Sequence, residues 1–266
     1  MIARHLAIAK QTVVLALLGS TLSAPALEVL VKTLPAEIAG KTTSLNPDFL
    51  ILATHEEVDV QEKPLIIYLH GGGGKGTNLA EQKPIPRIAH SLAKYSREPV
   101  WIVVPQVLPG PNEDGKIWLP KDLNVLLDHV LVEVPCDPDR VYLTGFSMGG
   151  YGSWVWGAAS PERFAAVVPV AGGLGIGGPK DITPDLEQWA ATLATVPVWA
   201  FHGGEDLVVP TDRSELIISL IQSHEGHEAR LTVFPAVRHG SDRPAYDNPE
   251  LVRWLLEQRR KDSSEE

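Results

Sequence analysis

The sequence has a single cysteine, Cys136, among 266 residues. No intrachain disulfide can form, and Cys136 reads as a small, partly buried residue ahead of a turn. Basic residues are in the minority. There are 23 Lys and Arg against 33 Asp and Glu, a net charge of −10. The acids are spread along the chain, which argues against nucleic acid or an anionic membrane surface as a partner. No internal run is long enough to span a bilayer, which takes about 20 apolar residues. The middle of the chain has no Pro/Gly/Ser linker, and there are no repeats. With 44% hydrophobic residues, the chain can build one large α/β domain with a core of its own.

Cofactor and metal patterns are also missing. Gly71-x-Gly73-x-x-Gly76 follows an apolar run, as a dinucleotide fingerprint should. The next run, however, ends in Val104-Pro105-Gln106, where the fingerprint needs an acid for the ribose. A phosphate-cradling loop needs Gly-Lys followed by Ser or Thr, and Lys75 is followed by Gly76. In His224-Glu225-Gly226-His227-Glu228 the histidines are three apart with a glycine between them. The zinc-protease pattern needs them four apart on a helix, so this stretch reads as a polar helix end. The expectation is a protein with no cofactor and no metal.

The N-terminus has the layout of a targeting segment. Arg4 and Lys10 supply positive charge, Thr12 to Gly19 is a short apolar core, and Ala24-Pro25-Ala26 offers small-x-small cleavage. Residues 1–26 are expected to be a signal peptide removed on export to a secreted or periplasmic location, with no membrane attachment afterwards; the alternative is an uncleaved N-terminal anchor. Residues 27–260 are the expected catalytic domain and residues 261–266 a disordered polar tail.

Strand and helix patterns alternate through that domain. Leu27 to Leu34 and Phe49 to Thr54 read as an antiparallel pair joined by a turn at Asn46-Pro47-Asp48. Continuous apolar runs mark buried strands at Pro64 to His70, Val100 to Val104, Val141 to Gly145, Ala165 to Val170, Val196 to Phe201 and Ala229 to Phe234. Helical spacing occupies Ile85 to Lys94, Leu119 to Val132, Met148 to Ala159, Leu186 to Leu193, Thr211 to Ser223 and Pro249 to Arg259. The alternation predicts a mostly parallel central sheet with helices on both faces.

Within this frame, Thr144-Gly145-Phe146-Ser147-Met148-Gly149-Gly150 places Gly-x-Ser-x-Gly between a strand and a helix. Five residues alone are a weak signal, but the strand–turn–helix context is the layout of a nucleophile elbow. The turn would raise the Ser147 hydroxyl clear of the sheet. It would also put the Met148 N–H at a helix N-terminus, facing a developing oxyanion. A serine hydroxyl needs a base, and the base needs an orienting acid. Open α/β sheets carry such groups at the carboxyl ends of their strands. Asp206 follows one strand, in His202-Gly203-Gly204-Glu205-Asp206, with Glu205 as its competitor. His239 follows the last strand. Each taken alone has a plainer role, a turn residue for Asp206 and an exposed loop histidine for His239. Together, in the order Ser147, Asp206, His239, they match a serine hydrolase on such a sheet. The glycine run after His70 would let a backbone N–H face the substrate; Gly72 is the expected second oxyanion donor and Gly71 the competitor.

Leu69-His70-Gly71-Gly72-Gly73, the run Asp137 to Gly152 and His202 to Asp206 resemble the α/β-hydrolase superfamily. The resemblance covers roughly residue 60 to the closing helix. Its subgroup is similar to secreted phospholipase/carboxylesterase-type enzymes, including predicted peptidases, related to feruloyl esterases and polyhydroxybutyrate depolymerases. The resemblance implies Ser147 as nucleophile, Asp206 as acid and His239 as base. It also implies an ester hydrolase for small-molecule or polymer-linked esters, with a peptidase or a catalytically silent binding protein as the other readings. Relatives often carry an aromatic shortly after the base, where Ser241-Asp242-Arg243 stands here. The stretch Gly172 to Thr195, where relatives often insert a lid, is short, so no large cap domain is expected. Leu108 to Pro120 is expected to form a wall of the site with Trp118 in reach of substrate, the equal alternative for Trp118 being simple packing.

Overall fold

The computed structural model describes residues 27–54, 62–79, 85–110, 117–176, 178–226 and 228–260. The expected leader and tail lie outside the described residues, as do residues 111–116 of the expected wall. Among the described residues no helix is long and apolar enough to cross a membrane.

The strands are β1 (Glu28–Thr33), β2 (Asp48–Ala53), β3 (Lys63–Leu69), β4 (Trp101–Val104), β5 (Cys136–Phe146), β6 (Ala166–Val170), β7 (Val198–Gly203) and β8 (Ala229–Phe234). They form one eight-stranded sheet in the order β1-β2-β4-β3-β5-β6-β7-β8. β1 and β2 are antiparallel, β2 runs antiparallel to β4, and every pairing from β4 through β3 to β8 is parallel. The helices are α1 (Ala36–Ala39), α2 (Arg87–Tyr95), α3 (Pro120–Glu133), α4 (Met148–Ala159), α5 (Leu186–Leu193), α6 (Asp212–Ser223), α7 (Asp242–Tyr246) and α8 (Pro249–Glu257).

The period-2 alternation of each central strand feeds two cores at once. Leu65, Ile67 and Leu69 of β3 point to the face covered by α3 to α6, with Leu143, Trp154, Trp156 and Leu193. Ile66 points to the opposite face with Tyr142, Val168 and Phe201, beneath α2, α7 and α8. A strand buried on both faces has no place for polar residues, which is why these segments read as unbroken apolar runs.

Most element bounds agree with the sequence reading to within two residues. Three features differ. β5 starts at Cys136, five residues earlier than expected, because Lys63 pairs with Cys136 across a register shift. α1 is a single turn inside the expected β1–β2 connection. That connection is tied to α3 by Asp122, fully buried, whose Oδ2 accepts from the Thr43 and Ser44 N–H groups at 2.9 and 2.7 Å. α7 follows His239, and the side-chain spacing of five residues is too short to announce it.

Candidate active site

Ser147 joins β5 to α4 with φ 58° and ψ −114°. A left-handed backbone at a residue with a side chain costs about 1–3 kcal/mol and persists only where its surroundings enforce it. Here the Ser147 N–H donates to the Val170 carbonyl at 2.9 Å, and its own carbonyl accepts from the Tyr151 N–H at 2.9 Å. The turn is pinned from β6 on one side and from the first turn of α4 on the other.

The loop after β8 brings His239 to this serine. Its Nε2 lies 2.8 Å from Ser147 Oγ, and its Nδ1 lies 2.7 Å from Asp206 Oδ2. The carboxylate only accepts, so Nδ1 carries the proton and Nε2 is left to accept from the serine hydroxyl. Phe146 lies against the imidazole with ring centroids 5.0 Å apart. The end of β7 is pressed onto this loop: a Cβ on Gly203 would sit 2.2 Å from the Arg238 carbonyl oxygen. Only a glycine lets the strand carrying the acid approach the loop carrying the histidine so closely.

Asp206 is buried and Glu205 is exposed. The Asp206 Oδ1 accepts from the Val208 and Val209 N–H groups at 2.8 and 2.9 Å. A second histidine, His202, is fully buried, and its Nε2 lies 3.4 Å from Asp206 Oδ2. That nitrogen is also 3.1 Å from the Val209 carbonyl, and Nδ1 is 2.7 Å from the Ser214 hydroxyl. A carbonyl cannot donate, so Nε2 carries the hydrogen and Ser214 donates to Nδ1. Burial lowers the pKa of His202, against the opposing pull of the Val209 carbonyl and Asp206. It stands as a neutral ring whose N–H faces the acid. The sequence carried one signal for it, a histidine directly after a buried apolar run.

The loop after β3 faces the serine across the elbow. A Cβ on Gly71 would lie 3.4 Å from the Ser147 Cβ, whereas one on Gly72 would meet nothing within 4 Å. Gly72 begins a single 3₁₀ turn, Gly72–Gly74. Met148 is the first residue of α4, so its N–H has no carbonyl one turn back to accept it.

Behind that loop, His70 Nδ1 lies 2.6 Å from the Gly71 carbonyl, and its Nε2 accepts from the Val107 N–H at 3.1 Å. Burial pushes its pKa from 6.5 down to about 4, with the Gly71 carbonyl opposing and Lys75 assisting. His70 is neutral at pH 7, and protonation would remove the acceptor that Val107 requires. The unfolded chain takes up this proton below about pH 6.5 and the folded chain only below about pH 4, so stability falls as pH drops through that window. The contribution is about 3 kcal/mol in full. Denaturant unfolding of wild type and His70→Gln at pH 7.5 and pH 4.5 should show a decline about 2 kcal/mol smaller in the variant. Equal declines would dismiss His70 as the source.

Trp118 is not a wall of the site. It is fully buried, its indole N–H donates to the His70 carbonyl at 3.1 Å, and its ring meets the His70 ring edge-on at 4.7 Å. A Cβ on Gly152 would lie 2.7 Å from it. The ring packs between the β3 loop and α4, where its apolar area is removed from water and its N–H is satisfied. It supports the loop from behind and cannot touch substrate.

Two cavities are lined by residues near the serine in sequence, Phe146 in one and Tyr151 in the other. One, of 260 Å³, is lined by Gly71, Gly73, Phe146, Tyr68, Arg87 and Asp242. Arg87 Nε lies 3.3 Å from Asp242 Oδ2, so the residues standing where relatives have an aromatic contribute an ion pair. The other, of 720 Å³, begins at Tyr151, one turn along α4 from the serine. Among the described residues no group of three or more His, Cys, Asp or Glu could hold a metal ion. His224 lies 3.1 Å from Glu187, and His227 lies outside the described residues.

The model of the dienelactone hydrolase family matches residues 119–250, the span that holds Ser147, Asp206 and His239. Acyl-protein thioesterase 1 of Gibberella zeae is 26% identical over 206 residues, 68% of this chain and 85% of that protein. A relative from Nocardia uniformis subsp. tsuyamanensis is 28% identical over 158 residues, and the match spans 42% of its length. The crystal structure of a thermostable esterase superposes with a TM-score of 0.69 at 28% identity, covering 87% of this chain and 63% of that one. The sheet order, the strained serine between strand and helix, and these matches agree: the chain has the α/β-hydrolase fold.

Proposed function

We propose that the protein is a serine hydrolase that cleaves carboxylic esters through an acyl-enzyme on Ser147. The observation that carries this reading is the unbroken chain from Asp206 Oδ2 through His239 to Ser147 Oγ, with contacts of 2.7 and 2.8 Å. The names of the similar proteins, a thioesterase, an esterase and the dienelactone hydrolase family, support an ester as substrate.

In this scheme Ser147 Oγ bonds to the ester carbonyl carbon as its proton passes to His239 Nε2. Asp206 holds the imidazole by its Nδ1–H and offsets the charge it acquires. The carbonyl oxygen becomes an oxyanion, held by the N–H of Met148 and that of Gly72; each such donor is worth about 2.7–4 kcal/mol in the transition state. The C–O bond to the alcohol breaks as His239 returns the proton to the departing oxygen. Water then attacks the acyl carbonyl, giving a proton to His239, and the carboxylic acid leaves as Ser147 regains its hydrogen. No step requires a metal or cofactor.

The test compares initial rates on a short-chain p-nitrophenyl ester and a matched p-nitroanilide, with a fluorophosphonate label to report on Ser147. Ester turnover with labelling at Ser147 is the expected result. Comparable anilide turnover would make the protein a peptidase, and neither turnover nor labelling would leave a silent hydrolase fold.

A further inference from the structure

The acyl-transfer scheme uses the serine, the histidine, the acid and two N–H groups, and leaves the 720 Å³ cavity without a role. That volume lies within the roughly 300–1,000 Å³ usual for small-molecule sites. Its floor is aromatic: Tyr151, on α4, and Trp189, on α5, have ring centroids 6.3 Å apart. Ile176 and Ile182 add exposed apolar side chains at its rim. Asp181 and Asp185 also line it, and neither carboxylate has a hydrogen-bond or ion-pair partner among the described residues. Asp185 stands at the N-cap of α5 and makes no side-chain capping bond.

Among the described residues no basic residue lines this cavity. Arg213 reaches the segment but is engaged by the Lys180 carbonyl at 2.5 Å and by Asp212 at 2.9 Å. The cavity therefore combines two aromatic side chains with two uncompensated carboxylates. Aromatic faces attract ammonium groups, most strongly when the cation is weakly hydrated. Carboxylates favour the same charge and repel anions, and the net charge of −10 adds attraction at long range.

We propose that this cavity binds a cationic group, a quaternary ammonium or a protonated amine, on the part of the substrate that extends from Ser147 over α4. The reading deepens the ester-hydrolase assignment by naming its substrate class, esters bearing a positive charge, and it rests on that assignment for the reaction though not for the binding.

Two measurements test it. In Ser147→Ala protein, phenyltrimethylammonium should bind about tenfold more tightly than benzenesulfonate at low salt, as followed by NMR. In the wild type, a choline ester should have a kcat/KM about five- to tenfold above its uncharged 3,3-dimethylbutyl isostere. The double variant Asp181→Asn/Asp185→Asn should bring both ratios towards one, and so should raised salt on the unmodified chain, which does not depend on the variant's folding. Equal binding of the two ions, or an isostere turned over as fast as the choline ester, overturns the cation site while leaving the esterase standing. Selective ammonium binding with no ester hydrolysed would keep the site and remove the esterase.

Discussion

Ser147→Ala lowers kcat/KM on an activated ester by about 10⁴- to 10⁶-fold, and His239→Ala lowers it by a similar factor. The double variant loses no more than about threefold beyond either single change, because the two groups act as one relay and neither is useful without the other. Asp206→Asn costs about 10⁴-fold. Its Oδ2 accepts from His239 at 2.7 Å while Oδ1 is committed to two N–H groups. An amide must therefore turn its NH₂ towards the imidazole, which then holds its proton on the wrong nitrogen. Glu205→Gln stays within about twofold. Glu205 is exposed, and its N–H donates to Val237 at 2.9 Å, so it is bound into the turn and kept off the histidine. All five variants can be compared on one p-nitrophenyl ester. Full activity in Asp206→Asn with loss in Glu205→Gln would reverse the assignment of the acid.

That contest shows where sequence reading ends. Two adjacent acids after one strand are equivalent as letters. They are separated by the turn after β7, which leaves Glu205 exposed and Asp206 buried, and by the Val208 and Val209 N–H groups, which fold over the second of them. The strands themselves were legible because burial on both faces forbids polar residues, so Ile66 and Ile67 belong to opposite cores and still read as one run. The elbow was legible for a related reason. Glycines on either side of a serine, between a β run and a helical one, have few other uses.

Trp118 shows the opposite case. A tryptophan at the end of a Pro/Gly-rich stretch could line a site or close a core, and local sequence weighs both alike. The choice was made by a carbonyl forty-eight residues away, that of His70, which takes the indole N–H. His70 and His202 share that difficulty. Each lies within or at the end of an apolar strand, and each acquires its role from long-range partners, Val107 for one and Ser214 for the other. The cavity over α4 was illegible for the same reason. Tyr151 and Trp189 are thirty-eight positions apart, and only the packing of α4 on α5 makes them neighbours.

Among the described glycines the closest backbone approach lies at Gly149, two residues after the serine, and it leads to the largest expected loss of stability. A Cβ on Gly149 would sit 1.8 Å from the Leu69 carbonyl oxygen, 2.5 Å from its carbon and 2.9 Å from the His70 carbonyl oxygen. All three are backbone atoms, so no rotamer change can relieve the contact. For Gly149→Ala to fold, α4 must lift from the end of β3, and that end carries both the glycine loop and the His70 ring behind it. The loss should exceed about 4 kcal/mol, beyond the usual range for overpacking against side chains. Gly72→Ala provides the contrast. Its added methyl meets nothing within 4 Å, and its φ is not positive, so its Tm should equal or slightly exceed that of the wild type through a less flexible unfolded chain. Thermal melts of the two variants decide the matter. A Gly149→Ala protein that melts with the wild type would mean that α4 can move away from β3 at little cost, and the serine's strained turn would then need another explanation for its persistence.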